Sequence, residues 1–108
     1  MTDVFQVLAE PRRREVLALL ADEERTAGDI GARFDVTRQA VSQHLRILLA
    51  AGLIRERRDG TRRWYRAQPE GLAEVRAYVE AMWPSALEQL KLAAEREHRS
   101  GRRDAERN

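Results

Sequence analysis

The spacing of apolar residues predicts four helices in the first half of the chain. Val4, Phe5 and Leu8 recur at helical spacing, and a second apolar stripe follows Pro11, a residue favoured at the first position of a helix. A third stripe contains Ile30 and Phe34, and a fourth continues to about Ala51. The predicted helices cover residues 3–9, residues 11–21, the segment after Thr26, and residues 38–51.

Residues with capping and turn chemistry mark the ends of these helices. Thr26 and Asp29 have the spacing of a capping box at the start of the third helix. The three residues from Asp35 to Thr37 leave room only for a tight turn, in which Asp35 tolerates a left-handed backbone and Thr37 can cap the fourth helix. Gly52 is placed to terminate that helix.

A β-hairpin is predicted after the fourth helix. Asp59-Gly60 is a strong signal for a two-residue turn between strands Ile54–Arg58 and Thr61–Arg66. With that turn, the residues directly opposed across the ribbon are Arg58 and Thr61, Arg57 and Arg62, Glu56 and Arg63, and Arg55 and Trp64. We therefore expect attraction between Glu56 and Arg63, and contact between Arg55 and the indole.

A long apolar stripe begins after Pro69 and predicts a last helix that extends to about residue 94. Pro84 interrupts the stripe and predicts a kink or a restart of the helix there. From Glu95 onward no apolar side chain is larger than that of Ala105. The expected organisation is one domain, 1–94, followed by a charged, disordered tail, 95–108, in which His98 has no role.

The composition excludes several classes of function. The 108 residues include no Cys, which rules out disulfides and thiolate chemistry. No 18-residue apolar run and no secretory signal pattern are present, so we expect no membrane span and a cytoplasmic location. Neither His44 nor His98 has a partner at a catalytic spacing. We predict a protein that is not an enzyme and that has no cofactor and no metal site.

The net charge of +2 conceals an uneven distribution along the chain. Between Thr37 and Arg66, eight arginines stand against two acidic residues, a net charge of +6, and the rest of the chain carries −4. The excess positive charge lies on the fourth helix and the hairpin. This asymmetry predicts a localised surface for a polyanion.

The order of these elements is that of a winged helix-turn-helix. The chain also resembles the ArsR/SmtB family of bacterial repressors over about residues 4–94. The resemblance is carried by Leu8–Arg14, Thr37–Leu48, Ala51–Ile54 and Arg57–Arg66. It implies a mainly α fold with a small β-hairpin wing, a homodimer formed through the first and last helices, and binding to a double-stranded DNA operator.

Members of that family that sense metals carry Cys in the third helix, or His and carboxylate pairs on the last helix. Here the third helix, Ala27–Phe34, has neither Cys nor His, and the last helix has no His before His98. The chain is therefore similar to a branch of the family that does not sense metals. Any small-molecule inducer is unidentified.

The fourth helix has an apolar and a polar face. Val41, Leu45, Leu48 and Leu49 are expected to face the core. The opposite side chains can bond base edges or phosphates, and the second helix of a helix-turn-helix lies in the major groove. The predicted DNA contacts are Thr37, Arg38, Gln39, Ser42, Gln43 and Arg46. The alternative is an ordinary polar helix face.

The hairpin places Arg57 opposite Arg62 in the predicted register. Like charges directly opposed across a ribbon are destabilising unless an anion neutralises them, and a DNA phosphate would do so. The predicted wing contacts are Arg57, Arg58, Gly60, Thr61, Arg62 and Arg63. The alternatives are that the arginines point into solvent or that a longer loop shifts the register.

The first and last helices carry more apolar surface than one chain can cover, which favours pairing of two chains. The predicted interface comprises Val4, Phe5, Leu8, Val79, Met82, Trp83, Leu87 and Leu90. The alternative is a monomer whose last helix folds back at Pro84. Met82 and Trp83 could instead contact an apolar inducer.

Together these features predict a sequence-specific transcriptional regulator, a repressor that could act on its own gene. The alternative is a winged-helix module that binds an acidic protein, but the polar face of the fourth helix offers no aromatic anchor for a protein interface. His44 is expected at the boundary of the two faces. Arg12, Arg13 and Arg14 are equally compatible with phosphate contact and with solubility.

Overall fold

The computed structural model describes residues 3–83, 85 and 88–97 of the chain. It separates into two units, Met1–Val75 and Arg76–Asn108, and each is described by itself. The elements in order are α1 (Val4–Ala9), α2 (Pro11–Asp22), α3 (Ala27–Phe34), α4 (Arg38–Ala50), β1 (Ile54–Asp59), β2 (Arg62–Ala67), a 3₁₀ turn (Pro69–Leu72) and α5 (Ala73–Met82). The predicted mainly α fold with one β-hairpin is confirmed.

The core of the first unit joins α2, α3 and α4 to the start of the hairpin. Six side chains are almost completely buried: Val16, Leu20, Ile30, Val41, Leu48 and Leu53. Full burial of such a side chain contributes about 1.5–3 kcal/mol. Val41 and Leu48, two turns apart on α4, are buried on one side of that helix, so the opposite face of α4 remains in solvent.

The apolar residues of α1 do not form the single exposed stripe that was predicted. Val4 and Val7 are buried in the core, Leu8 is half-buried, and Phe5 is exposed. Residues three apart lie on the same side of a helix, so Val4 and Val7 together turn toward the core. Val4 is thus buried within its own chain, and its contribution to a dimer interface stays a prediction.

The predicted helix ends are confirmed in detail. Thr26 and Asp29 form a reciprocal capping box with both hydrogen bonds at 3.2 Å, and Thr37 Oγ1 accepts from Ala40 N–H at 3.1 Å. Asp35 has φ of 52° at the end of α3, and Gly52 has φ of 73° after α4. These caps fix the short turn between α3 and α4 and the exit of the chain toward β1.

The hairpin register differs from the predicted one. The observed pairs are Ile54 with Ala67, Arg55 with Arg66, Glu56 with Tyr65, Arg57 with Trp64, Arg58 with Arg63, and Asp59 with Arg62. The turn therefore consists of Gly60 and Thr61, with Gly60 at φ of 64° as its first residue. A two-residue turn with glycine first suits a hairpin as well as Asp-Gly does, so the predicted register was wrong by two positions along β2.

The three arginines after Pro11 have a structural role. Arg13 Nε donates to the carbonyl oxygen of Val7 at 2.8 Å, and Arg14 Nη1 donates to that of Leu8 at 2.6 Å. Both carbonyls lie in the last turn of α1, where backbone acceptors lack partners within the helix. Arg12 pairs with Glu15 at 2.8 Å. The positive charge at the start of α2 thus stabilises the end of α1.

The predicted last helix begins with the 3₁₀ turn at Pro69 and continues as α5. In the second unit, residues 88–97 are helical, so 95–97 differ from the expected disordered tail; their Glu and Arg side chains suit a helix. Large apolar side chains exposed in this unit are Tyr78, Met82, Trp83, Leu90 and Leu92. The predictions for Pro84, Leu87 and residues 98–108 lie outside the described residues.

Candidate nucleic-acid interface

The polar face of α4 forms one exposed surface. Thr37, at the N-cap, is also exposed. Val41, Leu45 and Leu48 are buried on the opposite face, and Leu49 is half-buried against the core. All five predicted contact residues of the helix are exposed and line a common shallow depression: Arg38, Gln39, Ser42, Gln43 and Arg46. The amphipathic pattern of α4 therefore presents two amides, a hydroxyl and two guanidinium groups together.

A cleft of about 480 Å³ lies between the helices and the tip of the hairpin. Arg38 of α4 borders it from one side, and Thr61, Arg62 and Arg63 border it from the hairpin. The start of α3, Thr26 to Asp29, also lines it. The structure thus brings residues of the fourth helix and of the wing, separated by more than twenty positions in sequence, to one concave surface.

A second groove connects α4 to the strands of the hairpin. Ser42 and Arg46 line it from the helix, and Glu56 and Arg63 line it from the ribbon. The predicted attraction between Glu56 and Arg63 is confirmed as an ion pair of 3.5 Å. In the observed register the two residues are diagonal neighbours on one face of the ribbon and are not directly opposed.

The four arginines predicted at the wing have different surroundings. Arg57 Nε donates to Glu24 Oε2 at 3.0 Å, and its guanidinium lies 5.9 Å from the centre of the Trp64 ring. The expected contact of Arg55 with this ring and the opposition of Arg57 to Arg62 are therefore wrong. Both follow from the shifted register, which places Arg57 opposite Trp64.

Two pairs of like charges are directly opposed in the observed register, Arg58 with Arg63 and Arg55 with Arg66. Arg63 is balanced by Glu56. Within the described part of the chain, Arg58 and Arg62 form no ion pair, although Arg62 faces Asp59 across the ribbon. Exposed cations without an acidic partner retain their full attraction for a polyanion.

His44 is half-buried between the two faces of α4, as its position in the helical pattern predicts. Its Nδ1 atom is buried and has no hydrogen-bond partner among the described residues. Burial lowers the pKa of His44 below 6.5, the positive charges of Arg13 and Arg12 lower it further, and Glu10 partly opposes them. Burial and the two guanidinium groups therefore disfavour protonation of the imidazole.

Two other kinds of site are absent from the described residues. Across residues 3–83, 85 and 88–97, no three His, Asp or Glu side chains are grouped in a way that would hold a metal ion. No helix in the same residues is both long and apolar enough to cross a bilayer.

The amino-acid sequence is similar to those of known transcriptional regulators. The helix-turn-helix domain family matches residues 8–57. The HTH-type transcriptional regulator Rv2034 of Mycobacterium tuberculosis is 40% identical over 83 residues, which cover 77% of this chain and 78% of that protein. The transcriptional repressor SdpR of Bacillus subtilis is 40% identical over 60 residues, which cover 56% of this chain and 67% of that protein.

Solved structures share the fold. An ArsR-like transcriptional regulator from Rhodococcus sp. RHA1 is 33% identical with a TM-score of 0.69, and the match covers 85% of this chain and 87% of that one. The homodimeric winged helix-turn-helix DNA-binding domain of a possible ArsR-family regulator from Mycobacterium bovis is 34% identical with a TM-score of 0.61, covering 76% of each chain. The chain belongs to the ArsR family.

ArsR-family membership confirms the winged helix-turn-helix fold and the assignment to transcription regulators, which are not enzymes. In this ArsR-family chain α3, the turn and α4 are the helix-turn-helix, and β1 and β2 are the wing. Sequence reasoning missed two features of it. The contact of Glu24 with Arg57 was not predicted, and Tyr78 and Leu92 were not recognised among the exposed apolar residues.

Proposed function

We propose that this ArsR-family protein is a homodimeric repressor that binds a specific double-stranded DNA operator. The observation that carries the proposal is the exposed polar face of α4, on which Arg38, Gln39, Ser42, Gln43 and Arg46 lie together. The helix-turn-helix family match spans α2, α3 and α4.

In this proposal α4 lies in the major groove. A glutamine amide can bond adenine with two hydrogen bonds, an arginine can bond guanine in the same way, and Ser42 can donate or accept. Thr37, the N-cap residue of α4, would contact a backbone phosphate in this arrangement. The helix therefore supplies the specificity of the complex.

The wing contributes mainly affinity. Arg58, Arg62 and Arg63 are exposed, and Gly60 and Thr61 form the exposed tip of the hairpin. This segment is part of the stretch that carries a net charge of +6, so it is suited to the phosphate backbone beside the groove that α4 occupies. Contacts of this kind are independent of sequence and sensitive to salt.

A second copy of the chain would cover the apolar side chains left in water. Met82 is 65% exposed and Trp83 is 49% exposed, which is unusual for large apolar residues in a lone chain. The Mycobacterium bovis relative is described as homodimeric. The proposed interface consists of Phe5, Leu8, Val79, Met82, Trp83 and Leu90. Two copies related by a two-fold axis would present two recognition helices to successive turns of DNA.

The relative SdpR is named a repressor, which supports repression as the direction of control here. A homodimer seated on an operator would block access to a promoter, including that of its own gene. Such a protein would act in the cytoplasm, where bacterial DNA lies.

Fluorescence anisotropy tests the proposal. The purified protein is titrated against a duplex from upstream of its own coding sequence and against a scrambled duplex of the same composition, at two salt concentrations. We expect selective, salt-sensitive binding that saturates at one dimer per site, with the dimer verified by light scattering. Absence of binding at low salt would contradict the proposal and favour a protein-binding module.

A further inference from the structure

Arg57 differs from the other wing arginines in what its side chain contacts. Its Nε donates to Glu24 Oε2 at 3.0 Å, which joins residues 33 positions apart in sequence. The same guanidinium lies 5.9 Å from the centre of the Trp64 ring, within the range of a cation–π contact. Arg57 is thus held on two sides.

The path of the Arg57 side chain follows from the strand order. β1 lies along one edge of β2, and Arg25 lies along the other, where it exchanges backbone hydrogen bonds of 2.8 and 3.0 Å with Tyr65. To reach Glu24, which precedes Arg25, the side chain must cross β2 beside Trp64. One side chain therefore links the outer strand of the wing to the segment between α2 and α3.

We propose that Arg57 is a positioning residue, which fixes the orientation of the wing through Glu24 and Trp64 and does not itself bind a phosphate. The inference rests on the proposed DNA binding. It assigns the phosphate contacts of the wing to neighbouring arginines, above all to Arg58 and Arg62, which form no ion pair within the described residues.

The position of β1 explains why this contact matters. Within the described residues β1 pairs with β2 alone, and a two-stranded ribbon is marginally stable by itself in water. The backbone bridge at Arg25 holds β2, whereas none of the described residues forms a backbone pair with the outer edge of β1. The contact of Arg57 with Glu24 therefore restrains the strand that also carries Arg58.

Glu24→Gln distinguishes a positioning role of Arg57 from direct phosphate binding, because the two roles predict opposite changes in Kd. The substitution makes the protein more positive, so electrostatic attraction alone predicts tighter DNA binding. If Glu24 holds Arg57 in place, the same substitution raises Kd, by about two- to fivefold. Asp22→Asn is the matched control, because Asp22 is a nearby exposed carboxylate without an ion pair in the described residues. It should leave Kd unchanged or lower it.

Arg57→Gln should raise Kd by a similar factor without changing the slope of log Kd against log salt concentration. Arg58→Gln, in contrast, should reduce the magnitude of that slope by about 0.9, the value for one phosphate contact. The double variant Glu24→Gln/Arg57→Gln should bind no more weakly than Arg57→Gln alone, because both substitutions remove one contact.

A nitrogen-15 correlation spectrum of the protein without DNA provides a readout independent of binding. The indole N–H signal of Trp64 is identified by its loss in Trp64→Phe. We expect Glu24→Gln and Arg57→Gln to shift this signal and Asp22→Asn to leave it in place. Tighter binding by Glu24→Gln, a slope lowered by about 0.9 in Arg57→Gln, or an unmoved indole signal would overturn the inference. If the unmodified protein binds no DNA, the proposed function fails, and the indole signal alone decides whether Glu24 holds Arg57.

Discussion

Arg13 reaches back from the first turn of α2 and donates from Nε to the carbonyl oxygen of Val7, at 2.8 Å. The acceptor lies in α1, a helix of only six residues that is too short to be stable without tertiary contacts. Val7 is buried in the core and the Arg13 side chain is partly buried. This hydrogen bond therefore holds α1 in a fixed orientation relative to α2.

Arg13→Ala should therefore lower the free energy of unfolding by about 1–3 kcal/mol, because it leaves a partly buried carbonyl without a charged donor. Urea unfolding followed by circular dichroism measures the change. Arg33→Ala is the control, because Arg33 is exposed in the last turn of α3. This substitution should lower the free energy of unfolding by no more than about 0.5 kcal/mol. Equal effects of the two substitutions would show that the bond to Val7 contributes nothing.

Gly71 and Gly28 should respond to alanine with opposite signs. A Cβ on Gly71 would overlap the carbonyl oxygen of Gly52 and lie 2.8 Å from its carbonyl carbon, and backbone atoms cannot easily move away. Gly71→Ala should destabilise the fold by about 1–3 kcal/mol. In Gly28→Ala the new Cβ would lie 3.8 Å from Thr26 Oγ1, so the better helix propensity of alanine should stabilise the fold by up to about 1 kcal/mol. Urea midpoints that move in the same direction would contradict this account.

Local chemistry explains why some features could be predicted from the sequence. The caps at Thr26 and Thr37 and the left-handed backbone at Asp35 and Gly52 depend on residues within three or four positions of one another. Their geometry is nearly independent of the rest of the fold. The helix-turn-helix could therefore be located to within a residue.

Features that depend on distant residues could not be predicted in the same way. The hairpin register was ambiguous, because Gly60 suits either the first or the second position of a two-residue turn. The burial of Tyr65 and its backbone bridge to Arg25 accompany the observed register, and neither is visible in the hairpin sequence. The contact of Arg57 with Glu24 likewise joins segments that only the tertiary fold brings together.

Gln43→Ala should reduce specificity more than general affinity. Gln43 lies on the exposed face of α4. Loss of a bidentate base contact should weaken the binding free energy for the operator by about 1–3 kcal/mol and leave that for a scrambled duplex almost unchanged. Anisotropy titrations against both duplexes measure the difference. Gln6→Ala, on the exposed side of α1, is the control and should change neither affinity. A parallel loss of affinity for both duplexes would argue against a base contact.

Arg58→Gln combined with Arg62→Gln should weaken binding to all duplexes alike. Each arginine that neutralises a phosphate contributes about 0.9 to the slope of log Kd against log salt, so the pair should reduce its magnitude by about 1.8. Titrations at four salt concentrations determine the slope. The control, Arg33→Gln, also removes positive charge, one unit instead of two, on α3 and outside the proposed interface. A slope that stays unchanged in the double variant would remove these two arginines from the interface.

His44 should make the stability of the fold depend on pH. Burial, followed by the charges of Arg13 and Arg12, lowers its folded-state pKa below the unfolded value of 6.5, so the unfolded chain binds protons more readily than the folded one. The stabilising contribution of His44 is complete above pH 6.5 and is lost as the pH falls from there through the folded-state pKa.

Urea unfolding at pH 7.5, 6.5 and 5.5 measures this dependence, in a His98→Gln background that leaves one titrating histidine. The free energy of unfolding should decrease as the pH falls. His44→Gln should flatten that dependence, and Arg13→Gln should raise the pKa of His44 as measured by proton NMR. A pH dependence that is as steep in His44→Gln as in its parent would assign the effect to other groups.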